Sequence, residues 1–523
     1  METVSSVATS LLPLTTAGNL LPMSDVLWMV IVGFIISFVL SIALGANDVA
    51  NSFGTSVGAK VLTLHQALFL ATIFESLGAV LLGSKVAQTI QKGIFNPDMY
   101  VGMEETLLAG EIAALSACAV WLFIATALKM PVSATHSIVG AMLGFHLVIF
   151  QFEGVEWKEI GLIVLSWVTS PVLSGLCSTA IYIIMRYFIL TKTEPLEPGL
   201  RSLPIWYSLV VIVNFFSIFY DGPEVLGFHL IPLWAVFVIS FGSGFVTGLI
   251  VWFLVVPHVR RKITAGAQDA THDENQSIMK KNVAYYSHDD MSLLKASQEM
   301  ATGDSEEGVS SECDSTELIK EEVKSDEAKG RDMEERQTEQ STARENKNSE
   351  TDDDHPHVRA LCSPLQILSA VFAGFAHGGN DVSNAIGPLV SIWLIFQSGN
   401  AAQEDPIPLW ILFYGATGIS VGLWALGRRV IETVGEDITK LTPSSGFSIE
   451  LGAAMMVLLA SNVGIPISTT HCKIGSVVFI GLVRDRQTVN WSLCGGIVLA
   501  WVVTLPVTAG ISAAFMALLR LAV

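Results

Sequence analysis

Charge is scarce in this 523-residue chain, where Asp, Glu, Lys and Arg make up 15% of residues against 51% apolar ones. Soluble domains carry roughly a quarter charged residues, so an ordinary soluble globular protein is excluded. Basic residues are missing altogether before Lys60. Met1–Met23 therefore lacks the basic start of a secretory signal, and Pro13, Gly18 and Pro22 interrupt its apolar run. The six cysteines, Cys118, Cys177, Cys313, Cys362, Cys472 and Cys494, show no disulfide-framework or metal-ligand spacing and read as reduced and structural. His136 and His471 likewise have no partner at zinc-ligand spacing. No Walker-type loop and no nucleophile–base constellation is present, which argues against an ATP-driven pump and against an enzyme. No resident cofactor and no nucleic-acid partner are expected.

What is abundant is long apolar sequence, with a mean hydropathy of +0.55. A bilayer core needs about 20 mostly apolar residues per helix. Twelve stretches are candidate spans, near 25–45, 62–83, 107–128, 135–150, 160–188, 205–220, 231–257, 366–396, 408–427, 449–465, 472–484 and 492–520. Those near 135–150 and 472–484 are short and read as re-entrant or half-helices. The expected fold class is thus an all-α integral membrane protein of about twelve transmembrane helices.

The net charge of −19 is concentrated rather than global: residues 258–363 hold 25 acidic side chains against 14 basic ones. Rich in Glu, Asp, Ser, Lys and Gln, this stretch has the composition of a disordered loop. Basic clusters at Arg186/Lys192/Arg201, Arg260–Lys262, Arg428/Arg429 and Arg484/Arg486 all fall on one side if the N-terminus is external. The positive-inside rule makes that side, and the acidic loop, cytoplasmic. Lys85 and Lys92 are exceptions, in what reads as an external loop.

Two pairs of words recur in order. Gly-Ala-Asn-Asp-Val-Ala-Asn at 45–51 matches Gly-Gly-Asn-Asp-Val-Ser-Asn at 378–384, and Pro-Val-Ser-Ala-Thr-His at 131–136 matches Pro-Ile-Ser-Thr-Thr-His at 466–471. A fainter pair, Trp167/Pro171 and Trp501/Pro506, follows, with the copies 333, 335 and 334 residues apart. Such regularity marks an internal duplication. Five spans per copy and two between them put seven spans from one start to the next, an odd number that inverts the second copy in the bilayer. The expected organisation is an external segment 1–24, a first repeat 25–188, two linking spans in 205–257, the acidic loop 258–363 and a second repeat 364–520.

A carboxylate at membrane depth is costly and normally faces a cavity or a cation. Asp48 and Asp381, with Asn47, Asn51, Asn380 and Asn384 beside them, are therefore candidate cation and substrate ligands, although Asn and Asp also serve as ordinary helix caps. The neighbouring glycines Gly45, Gly54, Gly378, Gly379 and Gly387 predict broken, non-helical chain at 45–54 and 378–387. Pro131 and Pro466 predict helix starts where Ser133, Thr135, Ser468, Thr469 and Thr470 offer hydroxyls to an oxyanion, against the plainer reading of N-capping. Glu75, Glu111 and Glu450 lie in apolar stretches and are candidates for neutralising a coupling cation. His377 stands four residues before Asp381, where the first copy has Leu44.

Residues 45–54 and 377–387 together resemble the duplicated signatures of the inorganic phosphate transporter family, more narrowly of its animal sodium-dependent members. The resemblance covers roughly 25–262 and 363–520. It implies a secondary symporter of inorganic phosphate with sodium as co-substrate. With no transit peptide in the sequence the plasma membrane is the expected setting, and a homodimer is left open. It also implies transport roles for Glu75, Glu111 and Glu450 and phosphate-handling roles for Ser133, Ser468 and His377. Proton coupling, sulfate as substrate, or a phosphate-binding receptor that does not transport are the competing readings.

Overall fold

The computed structural model describes residues 23–220, 226–265, 354–403, 405–465 and 467–522. The expectations for segment 1–24 and for the acidic loop fall largely outside the described residues. Two compact units emerge: Met1–Phe253 with Val358–Val523, and Leu254–His357, whose described part is the helical end Leu254–Ala265 and the short run 354–357.

The described residues are helical, and ten of their helices are long and apolar enough to cross a membrane. The first repeat contains α1 (Met23–Gly58), α2 (Leu64–Lys92), α3 (Glu104–Ala127), α4 (Ala134–Phe150) and α5 (Trp157–Met185). Helices α6 (Leu196–Phe219) and α7 (Leu233–Ile250) follow and pack on each other. The second repeat contains α8 (Pro356–Ser398), α9 (Leu409–Leu426), α10 (Pro443–Val463), α11 (Thr469–Arg484) and α12 (Trp491–Leu519). Lys85 and Lys92 belong to α2, not to a loop.

Local chemistry explains several boundaries. Thr63 and Gln66 form a capping box at the start of α2, and Thr442 with Ser445 does the same for α10. Gly464 ends α10 in the left-handed conformation at φ 77°, which a side chain would strain. Ser133 and Ser468 accept hydrogen bonds from the amides of His136 and His471, starting α4 and α11.

The two short helices are the return arms of hairpins. The open end of α3–α4 is tied by Tyr100 Oη to His146 Nδ1 at 3.0 Å. At the open end of α10–α11, Arg484 donates to the Lys440 carbonyl at 2.7 Å. The hairpin tips, 128–133 and the described residues of 464–468, carry Ser133 and Ser468. Arms α3 and α10 are the most enclosed apolar helices, 72% buried over their most apolar stretch, against 17% for the helix containing α7.

The breaks therefore lie at the second pair of words, not the first. Both Asn-Asp words sit inside unbroken helices, α1 of 36 residues and α8 of 43. The glycines serve packing instead. A Cβ at Gly45 would lie 1.9 Å from the Ile419 carbonyl oxygen of α9, and one at Gly422 would lie 1.9 Å from that of Ile42. The second copy repeats this contact: a Cβ at Gly378 would lie 2.1 Å from the Glu75 oxygen of α2, and one at Gly78 would lie 1.9 Å from that of Phe375. Each copy's first helix is thus docked, backbone to backbone, on the other copy's second helix. The later helices are exchanged in the same way, with α4 on α12 and α11 on α5.

Gly45→Ala or Gly378→Ala should consequently cost about 1–3 kcal/mol through overpacking, read as a lower apparent Tm of the purified protein. Gly242→Ala and Gly496→Ala, where a Cβ meets nothing within 4 Å, should change it by no more than about 0.5 kcal/mol. Equal shifts at all four positions would contradict the docking account.

Candidate substrate and ion site

The exchanged packing brings both hairpin tips together between the Asn-Asp words. The tips bond each other reciprocally: Thr135 Oγ1 donates to the Ile467 carbonyl at 3.1 Å, and Thr470 Oγ1 donates to the Val132 carbonyl at 3.1 Å. Behind them, the rings of His136 and His471 meet edge-on at 4.5 Å. Each also lies against a tryptophan, Trp167 at 4.8 Å and Trp501 at 3.8 Å. The fainter tryptophan pair thus marks a real part of the junction.

Asp48 and Asp381 reach this junction from α1 and α8 and are buried. Asp48 Oδ1 accepts from Asn51 Nδ2 at 3.3 Å and from Thr470 Oγ1 at 3.5 Å. Asp381 Oδ1 accepts from Thr469 Oγ1 at 3.1 Å. Asn51 also donates to Thr470 Oγ1 at 2.9 Å and Thr469 Oγ1 at 3.4 Å. Asp48 Oδ2 and Asn51 Oδ1 are buried without a protein partner. Glu75, from α2, is close enough to repel both aspartates, which repel each other as well. Three carboxylates and the starts of two helices, α4 and α11, therefore converge. Negative charge for a cation and amide-plus-hydroxyl donors for an anion stand side by side.

The other predicted residues are placed differently. Ser133 and Ser468 each accept one capping hydrogen bond and keep the hydroxyl proton for a ligand or a neighbour. Asn47 turns away from the carboxylates to clamp the first tip. Its Nδ2 donates to Thr126 Oγ1 at 3.2 Å and the Met130 carbonyl at 3.0 Å, and its Oδ1 accepts from the Val132 amide at 3.1 Å. Asn380, at the same place in the second copy, has neither side-chain atom bonded, and neither does the hydroxyl of Ser461, the counterpart of Thr126. Asn384 donates only to its own helix, at the Asn380 carbonyl, 3.4 Å away. His377 is fully buried with both ring nitrogens unbonded.

Glu111 and Glu450 lie outside this junction. Glu450 bonds Thr55 and Ser56 of α1, seven and eight residues beyond Asp48 and hence about 10 Å along the helix. Glu111 is fully buried and neither of its oxygens meets the geometry of a hydrogen bond. The polar group around Glu450 includes Ser369, Gln366 and Lys473, none of which the spacing arguments singled out. A lysine inside the apolar stretch 472–484 was the available signal. No group of three or more His, Cys, Asp or Glu side chains among the described residues is set to hold a metal ion.

Comparison with known proteins places the chain. A family model described as the phosphate transporter family matches residues 44–512. The chain is 39% identical to sodium-dependent phosphate transporter 1-A of Danio rerio, with 99% of each covered. To sodium-dependent phosphate transporter 2 of Homo sapiens it is 38% identical, over 95% of this chain and 98% of that one. A solved structure titled the sodium-dependent phosphate transporter is similar with a TM-score of 0.72 and 31% identity, covering 95% of this chain and all of that one.

The junction predicts unequal costs for its two threonines. Thr470→Val removes a hydroxyl that accepts from Asn51 and shares its one proton between Val132 and Asp48, and should cost about 1.5–3 kcal/mol because a charged group loses a partner. Thr135→Val removes one neutral bond and should cost about 0.5–1.5 kcal/mol. Thermal unfolding of both variants checks the order, and a larger loss at Thr135 would contradict it.

Proposed function

Because the chain belongs to the phosphate transporter family, we propose that it is a secondary active symporter, not an enzyme, that moves inorganic phosphate into the cell with sodium. The observation that carries this reading is the convergence of two hairpin tips and two aspartates on one buried junction. Phosphate is held by Ser133, Thr135, Ser468, Thr469 and Thr470 with the amides that begin α4 and α11. Asn51, Asn384 and His377 complete its surroundings. Sodium is held between that anion and Asp48, Asp381 and Glu75, with backbone and side-chain oxygens filling its shell.

The coupling follows from electrostatics. Phosphate entering alone would face three carboxylates of its own sign in a weakly screened interior, where like charges repel strongly. A cation between them turns repulsion into attraction on both sides. Either ion therefore binds poorly without the other, as a symporter requires.

Broken symmetry supports movement over mere binding. The first tip is clamped by Asn47, while Asn380 and Ser461 of the second copy have no partner. In our reading the substrate site alternates in access as the second tip gains an equivalent clamp from Asn380 and the first loses its own. A receptor that does not transport needs no such exchange. The exchanged packing is what two inverted repeats with re-entrant hairpins would give, and the scheme takes the repeat boundaries given above, with the acidic loop cytoplasmic by its flanking basic residues and the plasma membrane as the setting. A homodimer is compatible with this scheme, and the lipid bilayer is its solvent.

Uptake of labelled phosphate by cells expressing the chain should be at least tenfold greater in sodium than in choline medium, and arsenate should compete where sulfate does not. Uptake that is equal in both media but rises as external pH falls would replace sodium with protons, and competition by sulfate would replace the substrate. Asp48→Asn and Asp381→Asn, matched for surface expression, should impair sodium activation most. Ser133→Ala and Ser468→Ala should raise the half-saturating phosphate concentration roughly ten- to a hundred-fold, the cost of one lost bond to a charged group. Normal sodium activation in the Asp variants would contradict the assignment.

A further inference from the structure

One layer along α1 from the aspartates lies a second buried polar cluster that the proposed transport cycle does not use. Glu450 is completely enclosed, and its two oxygens receive Thr55 Oγ1 and Ser56 Oγ, each at 2.6 Å, Ser369 Oγ at 2.6 Å and Gln366 Nε2 at 3.3 Å. Lys473, also completely enclosed, donates to Thr55 Oγ1 at 2.8 Å, so one hydroxyl links ammonium to carboxylate. Gln366 Oε1 is buried there without a partner. Lys473 also acts electrostatically on His377, which joins the cluster to the α8 signature. Apart from that ammonium and the Gln366 amide, the functional groups are oxygens: two from Glu450, three hydroxyls and one amide carbonyl. Such a set suits a hard cation.

The duplication offers an internal comparison for this cluster. The equivalent place, with the two copies exchanged, has Pro388, Leu389, Gly33, Ile36 and Ile138 for Thr55, Ser56, Gln366, Ser369 and Lys473, and α3 places Leu115 where α10 has Glu450. Leu115, Ile138 and Leu389 are buried there in one apolar cluster, so the equivalent positions are packed without a lysine or a glutamate among them. Replacing a buried ion pair by apolar groups is often neutral or stabilising, so stability alone does not account for keeping a charged pair here.

We propose that the Glu450 cluster is a cation site in which the Lys473 ammonium takes the place of a sodium ion, making Lys473 a built-in counter-cation that fixes how many sodium ions accompany each transported anion. The lysine moves with α11, which carries Thr469 and Thr470 of the substrate junction one turn away. One positive charge therefore stays with the hairpin through the cycle and is never exchanged with solution. Removing it should open a site that sodium fills.

The inference rests on the sodium-coupled reading but is tested separately from it, by sodium binding rather than by transport. Lys473→Met and the double variant Lys473→Met/Glu450→Gln are purified in sodium. Their apparent Tm, with that of the unmodified chain, is then measured across sodium concentrations at constant ionic strength set with choline. Ligand binding to the folded state raises stability with ligand concentration. Lys473→Met should gain a sodium-dependent rise in Tm beyond that of the unmodified chain, and the double variant should lose that extra rise. Identical sodium dependence in all three would overturn the proposal. So would failure to recover Lys473→Met even in sodium when the double variant is recovered, because sodium would then not replace the ammonium. Failure of the unmodified chain to take up phosphate in sodium would count against the transport reading alone, and the thermal result would still decide this one.

Discussion

Asp48, Asp381 and Glu75 come within electrostatic reach of one another in the interior of the bundle, where a carboxylate charge is costly, and the rest of the site is arranged around them. An uncompensated buried charge costs several kcal/mol, and like charges side by side add their repulsion to that cost. The protein offers partial relief through Thr469, Thr470 and Asn51, but it leaves Asp48 Oδ2 without a partner. In the proposed scheme mobile cations complete the balance. The same deficit explains why an anion is accepted only in their company.

Holding like charges together requires a frame that does not relax them apart. Reciprocal glycine contacts supply it, locking α1 onto α9 and α8 onto α2 at backbone distance. The tips are joined to each other by two threonine bonds and to α1 and α8 by side-chain bonds alone, among them the three from Asn47 that only the first tip has. Rigid helices carrying the charges and lighter hairpins carrying the donors are a division of labour suited to a site that must open on alternate sides.

Much of this was legible in the residues. The duplicated words located both aspartates and both tips, because an ionised side chain inside an apolar run has few bland explanations. The helix starts at Ser133 and Ser468 followed from Pro-x-Ser. What misled was glycine. Gly45 and Gly378 suggested unwound chain, whereas they mark backbone contact between helices, and sequence alone does not distinguish a glycine needed for its torsions from one needed for its missing Cβ. The clamp by Asn47 was also invisible, since its partners Thr126 and Met130 are brought close only by the hairpin. The Glu450 cluster draws on α1, α8, α10 and α11, and no local pattern joins four helices.

The central claim is that the anion binds where the two hairpin tips meet between Asp48 and Asp381. Arsenate, a heavier analogue of phosphate, makes this directly visible by anomalous X-ray scattering from crystals grown in sodium and arsenate. The account predicts a single arsenic peak whose oxygens lie about 2.5–3.2 Å from the amides and hydroxyls at the starts of α4 and α11. A peak elsewhere in the bundle, or one at the junction that persists undiminished when choline replaces sodium, would contradict it.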